Sequence, residues 1–335
     1  MNRRVLALAA LVAVVAAACQ AVPYDYTGDR KADPVYVTSP GNDWFRVGQS
    51  TPLLTGQPGD VAVSGDYDGH GTWEPAALRG TSWVSTALAS PITYSPRLPT
   101  GPVGLPWVWY QQTPHPANPL PSVIPVPADY DGDGTTDPAY WSQVNGTWWI
   151  RGQQGKVAFG IAPKDNGTML WDVPVPADYD GDGKADIAIY RPSDSTFRIK
   201  STGQVIQVGT PGDVPVPADY DGDGKADPAT YRLITNQWFI AGRPDPIVIP
   251  LSSPGSTGYP APADYDGDGH VDPALIDGNT GVWTVYGQGP IGTVPIGTFG
   301  SSANLPPYAY LNLVRLTFAY QCIHQPVGDR CPGNP

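Results

Sequence analysis

The sequence predicts an all-β protein, a β-propeller of six four-stranded blades, on three observations. An acidic stretch, cleanest as Val-Pro-Val-Pro-Ala-Asp-Tyr-Asp-Gly-Asp-Gly-Lys-Ala-Asp at residues 173–186, recurs along the chain. Its six copies begin with Asp at 25, 66, 129, 178, 219 and 264, at intervals of 41, 63, 49, 41 and 45 residues, the period of a repeat architecture. Between copies lie short β-type runs punctuated by Pro and Gly, four to a repeat, which is the pattern of a propeller blade. A seventh, reduced blade is the alternative if the C-terminal tail forms one.

The chain opens with a basic start (Arg3, Arg4) and an apolar run from Val5 to Ala18, too short to span a membrane. Residues 1–18 therefore read as a signal peptide and the protein as exported, extracellular or held at the cell surface by a lipid. Ala16-Ala17-Ala18-Cys19 resembles a lipoprotein box in which Cys19 carries the lipid. Ordinary cleavage at the same site is the other reading. Three cysteines is an odd count for an exported chain. With Cys19 lipidated, Cys322 and Cys331 remain to form a disulfide. Residues 20–300 then form the propeller of six Asp-loop repeats, and 301–335 the closing strands and disulfide loop.

Each repeat begins with a strand of the Val-Pro-Val-Pro type. Alternate N–H groups of a strand point to one edge, so Pro174 and Pro176 remove two donors from a single edge. Pro125/Pro127, Pro215/Pro217 and Pro260/Pro262 do the same, which places these strands at an unpaired sheet edge.

The acidic loop follows. Carboxylates at positions 1, 3, 5 and 9, with Gly at 4 and 6, make a cage of hard oxygens suited to Ca2+. The predicted metal ligands are Asp129, Asp131, Asp133 and Asp137; Asp178, Asp180, Asp182 and Asp186; Asp219, Asp221, Asp223 and Asp227; and Asp264, Asp266, Asp268 and Asp272. Two degenerate copies offer Asp25, Asp29 and Asp33, where Thr27 replaces the second carboxylate, and Asp66, Asp68 and Glu74, where His70 replaces the third. Four Ca2+ ions are expected, and up to six. Magnesium fits less well because it demands a tight octahedron. An EF-hand is excluded, since its bidentate Glu at position 12 is Ile189 or Thr230 here. A hydrated turn is the competing reading of any single copy.

A second strand follows each loop, and a third carries an aromatic in register. Trp44, Trp148, Phe197, Trp238 and Trp283 each fall 19 residues after the first Asp of their loop, and Trp83 falls 17 after. These read as packing residues between blades rather than sugar-stacking platforms. Two insertions break the period: residues 97–121, with Trp107, Trp109, Tyr110 and His115, and Lys164 to Trp171. Loops on a rigid scaffold often carry binding, and a surface spacer is the equal alternative.

The net charge of −12 reports these loops, which hold 22 of the 31 acids, so six Ca2+ ions would neutralise it. No basic patch is visible, so nucleic acid is not an expected partner.

The Asp-x-Asp-x-Asp-Gly-x-x-Asp loops make residues 22–300 resemble the FG-GAP/VCBS repeat proteins, the integrin-α-type β-propellers of exported bacterial proteins. That resemblance implies structural calcium at Asp178 and its equivalents. Such propellers include adhesion modules, lectins and enzyme attachments, so fold alone does not fix function. The expected function is a non-catalytic, monomeric surface module that binds a glycan or protein partner and meets the membrane only through its lipid. A carbohydrate lyase or hydrolase, or a pure envelope scaffold, are the alternatives. The enzyme reading has little behind it: four His, no nucleophile elbow, and acids outside the loops (Asp172, Asp194, Asp213, Asp277) without pair-like spacing.

Overall fold

The computed structural model of the protein describes residues 24–37, 43–57, 60–79, 82–88, 91–93, 123–142, 145–160 and 172–294, among which there is no helix. The signal segment, Cys19, both insertions named above, Cys322, Cys331 and the C-terminal tail lie outside those residues.

Strands β1 (Val35–Val37) and β2 (Trp44–Arg46) form a two-stranded sheet. Five four-stranded antiparallel meanders follow in chain order. The first holds β3 (Val61–Ala62), β4 (Ala76–Arg79), β5 (Ser82–Ser85) and β6 (Ile92–Thr93). The next holds β7 (Val123–Pro125), β8 (Ala139–Ser142), β9 (Thr147–Ile150) and β10 (Val157–Ala158). Then come β11 (Val173–Pro174), β12 (Ala188–Arg191), β13 (Thr196–Ile199) and β14 (Val205–Gln207). They are followed by β15 (Val214–Pro215), β16 (Ala229–Arg232), β17 (Gln237–Ile240) and β18 (Ile247–Val248). The last sheet is β19 (Gly258–Pro260), β20 (Ala274–Asp277), β21 (Val282–Val285) and β22 (Gly289–Thr293).

The fold is thus an all-β propeller, with one correction to the expected six blades of four strands. Five sheets have four strands, and the first repeat has two. Its fourth strand is reduced to a single bridge between Trp44 and Leu54, and its leading strand would precede Tyr24, outside the described residues.

The leading strands are edge strands, as their prolines require. Pro174 sits opposite Ile189, and the next N–H inward, that of Val175, donates to Ala188 at 2.9 Å. The proline nitrogens face the open edge, where no ladder bond is lost. Second strands read as continuous apolar runs because both faces are covered: Ala188, Ile189 and Tyr190 are all buried. Third strands alternate in four of the six repeats, and the side chain that turns inward is the in-register aromatic.

Those aromatics fill the seams between sheets. Trp44, Trp83, Trp148, Phe197, Trp238 and Trp283 are at most 2% exposed, so none offers a face to a sugar. Trp148 shares a core with Ile189 of the following sheet, Phe197 with Phe239, and Trp238 with Leu275. Trp283 of the last sheet packs in a core that includes Tyr36, Phe45 and Val47 of the first repeat.

Backbone bonds between successive loops trace the same circle. The carbonyl of each loop's first Asp accepts an N–H from the following loop. Trp73 donates to Asp25, Thr136 to Asp66, Ala185 to Asp129, Ala226 to Asp178 and Val271 to Asp219, all at 2.5–2.7 Å. Ala32 then donates to Asp264 at 2.6 Å, returning to the first repeat. The six loops are hydrogen-bonded into a closed ring.

Candidate metal loops

Each of the last five acidic loops joins a leading strand to its second strand, and a backbone bridge between the residue before position 1 and position 9 closes it, as between Ala177 and Asp186. Inside, the first Asp folds the loop around itself. Asp178 Oδ1 accepts from the N–H of Gly181 at 2.6 Å and Oδ2 from that of Gly183 at 2.8 Å. Both glycines lie at φ near +80°, a conformation that costs other residues about 1–2 kcal/mol. A Cβ on Gly181 would also stand 2.9 Å from the Lys225 side chain of the next loop.

This folding gathers carboxylates. One oxygen each from Asp129, Asp131 and Asp137 lies within 4.8 Å of the others, and the same holds for Asp178, Asp180 and Asp186, for Asp219, Asp221 and Asp227, and for Asp264, Asp266 and Asp272. The degenerate second loop also brings Asp66, Asp68 and Glu74 together. Position 5 is placed otherwise. Asp133, Asp182, Asp223 and Asp268 stand outside these groups, each accepting the N–H of position 7 at 2.8–2.9 Å. The first loop, with Asp25, Asp29 and Asp33, forms no such group among the described residues.

In four of these groups burial and the neighbouring charges raise the pKa of the position-9 acid. Burial, followed by the charges of Asp131, Asp129 and Asp133, pushes Asp137 up to about 6, against the opposing N–H of Tyr130. Burial and the charges of Asp68 and Asp66 push Glu74 up to about 7, and Asp227 and Asp272 are raised for the same reasons. A divalent cation would relieve that repulsion. The donors are carboxylate oxygens alone, which suits a hard ion, so the residues of these five loops fit a metal of the calcium type.

One recurring residue of the loops is not an acid. Tyr67, Tyr130, Tyr179, Tyr220 and Tyr265 occupy position 2 and turn away from the carboxylates into the core. Each hydroxyl donates to the carbonyl four residues earlier, as Tyr179 does to Val175 at 2.9 Å and Tyr220 to Val216 at 2.6 Å. Their regular recurrence is visible in the sequence. Their function as anchors of the loop on its own leading strand is not.

Five acids outside the loops, among the described residues, are engaged structurally. Asp60, Asp172 and Asp213, each nearly buried, form two-bonded pairs with Arg79, Arg191 and Arg232 at 2.7–2.9 Å. Asp194 pairs with Arg198 at 3.0 Å. Asp277, 1% exposed, accepts bonds from the hydroxyls of Ser252 and Ser256 and from the N–H groups of Ser253, Asn279 and Thr280.

Residues 129–189, spanning the third and fourth loops, match the family model of the FG-GAP-like repeat. The chain is a β-propeller that carries an FG-GAP-like repeat. No curated protein sequence matches this FG-GAP propeller. Among solved structures it is similar to a lectin of Agrocybe aegerita described for its specific recognition of non-reducing terminal N-acetylglucosamine, with 15% identity, 87% of this chain and 81% of that one covered, and a TM-score of 0.43. It is also similar to BBS1N solved in complex with ARL6DN, with 11% identity, 86% of each chain covered and a TM-score of 0.42. At such scores neither likeness carries an argument about what the FG-GAP propeller binds.

Proposed function

We propose that this FG-GAP propeller is an exported, calcium-stabilised, non-catalytic module of six blades that presents a rigid surface to a glycan or protein partner. The observation that carries the reading is the set of five carboxylate groups, each assembled by its own loop and each linked by a backbone bond to the next loop. Ca2+ would be held by the acids at positions 1, 3 and 9, such as Asp178, Asp180 and Asp186, and would supply charge neutralisation rather than chemistry. The loop residues themselves do the positioning: backbone N–H groups aim the first Asp, and the tyrosine fixes the loop to its strand.

The non-catalytic part of the reading is supported by where the remaining acids go. Asp60, Asp172 and Asp213 are each neutralised by an arginine of their own sheet, an arrangement that stabilises and does not pose a proton donor. Export rests on residues 1–18 and Cys19.

Two assays on the secreted chain test the proposal. Metal analysis after dialysis against Ca2+ is expected to find bound calcium, and a glycan array or pull-down to find binding without turnover. Release of reducing ends from any polysaccharide would overturn the non-catalytic reading.

A further inference from the structure

The first loop is the one whose residues do not fit the metal, and the structure offers a reason. In the other five loops the position-9 carboxylate gives one oxygen to the N–H of the position-2 tyrosine, at 2.8–3.0 Å. Asp33 does the same, with Oδ2 accepting from Tyr26 at 2.9 Å. Its Oδ1 is different: it lies 3.2 Å from Nη1 of Arg46. None of the other five position-9 acids has an arginine or lysine so placed among the described residues.

The rest of the loop agrees. Position 3 is Thr27, a neutral side chain where the other loops carry a carboxylate, and its N–H and hydroxyl both donate to Asp25 Oδ1. Asp25 also accepts from Gly28 and Arg30, at 2.6 and 2.8 Å, the two bonds that the first Asp makes in the other loops as well, so the bonds from Thr27 come on top of that shared set. The charge arithmetic matches too. Three carboxylates with a divalent ion carry a formal −1, and so do Asp25 and Asp33 with one guanidinium.

We propose that Arg46 takes the place of the metal in the first loop, making residues 25–33 a calcium-independent latch. Its position gives the latch its purpose. This loop closes the ring through Ala32 and Asp264, the Lys31 side chain lies against Gly267 of the last loop, and Tyr36, Phe45 and Val47 join the last sheet's core. The seam that joins the ends of the propeller is thereby held by side chains of the chain itself, while the five remaining loops answer to calcium. The stoichiometry rests on the calcium reading above, and the role of Arg46 does not.

The test uses the full secreted chain, with calcium counted by native mass spectrometry and stability followed by thermal melting. Asp33→Asn is expected to leave the number of bound Ca2+ ions unchanged, whereas Asp227→Asn removes one. A calcium ion lost with Asp33→Asn overturns the latch. If the wild type binds no calcium at all, the calcium reading fails and the latch is judged by melting alone. Arg46→Gln is expected to lower Tm by a few degrees in excess chelator, and by as much in calcium. An unchanged Tm in chelator overturns it.

Discussion

The N–H of Ala32 donates to the carbonyl oxygen of Asp264 at 2.6 Å, joining the first acidic loop to the last. Each of the other five loops makes the equivalent bond to its neighbour, so no loop in the ring is independent of the next. The glycine at position 4 is the other half of this contact, since the position-7 side chain of the following loop lies over it.

A pair of glycine substitutions separates the contact from the backbone cost. Gly267 and Gly269 both have positive φ, but a Cβ on Gly267 would stand 3.1 Å from the Arg30 carbonyl, while one on Gly269 meets nothing within 4 Å. Gly269→Ala is expected to cost about 1–2 kcal/mol, the left-handed penalty alone. Gly267→Ala is expected to cost more, and chemical denaturation of the two variants gives the difference directly.

Removal of calcium is expected to lower the melting temperature strongly, because it leaves five groups of mutually repelling carboxylates. A melt in millimolar calcium and then in chelator reads this. Identical curves would leave the loops as hydrated turns.

The pH dependence has a definite sign. Without metal, Asp137 at about 6 and Glu74 at about 7 are raised above their unfolded values, so the folded state binds more protons than the unfolded between about pH 4 and 7. The chelated protein is therefore expected to gain stability as pH falls from 8 to 5. Calcium competes with those same protons, so its stabilising effect shrinks over that range. Melting curves with and without calcium should converge toward pH 5. Asp277 acts oppositely and lower: its hydroxyl and N–H donors outweigh burial and hold it well below the usual carboxylate range, so its contribution is lost only as pH falls below about 4.

Trp238→Ala is expected to destabilise by about 3–5 kcal/mol, the range for emptying an aromatic site in a packed core. Tyr220→Phe, which removes only the hydroxyl bonded to Val216, is expected to cost about 1 kcal/mol. Urea unfolding ranks the two.

Arg191→Met strands the nearly buried Asp172 and is expected to cost about 3–5 kcal/mol. Adding Asp172→Leu is expected to recover most of that loss. A double-mutant cycle in urea distinguishes this from simple additivity.

What the sequence determined by itself is what recurs within one repeat. The Asp and Gly spacing, the prolines of Pro174 and Pro176, and the register of Trp238 all act over a few residues, so their local chemistry is legible from spacing alone. The tertiary structure decided what depends on residues meeting from separate strands. Arg46 is one cation among 19, and nothing in its neighbours marks it as the partner of Asp33. Asp182 looks equivalent to Asp180 in the sequence, yet the turn directs it to the N–H of Lys184 and away from the carboxylate group. The four strands expected of the first repeat are two among the described residues, because its leading strand would precede Tyr24 and Leu54 makes only a bridge. Ring closure is the extreme case. A bond between Ala32 and Asp264 exists only because all the intervening sheets turn by compatible amounts, and that sum is a property of packing at every seam rather than of any local stretch.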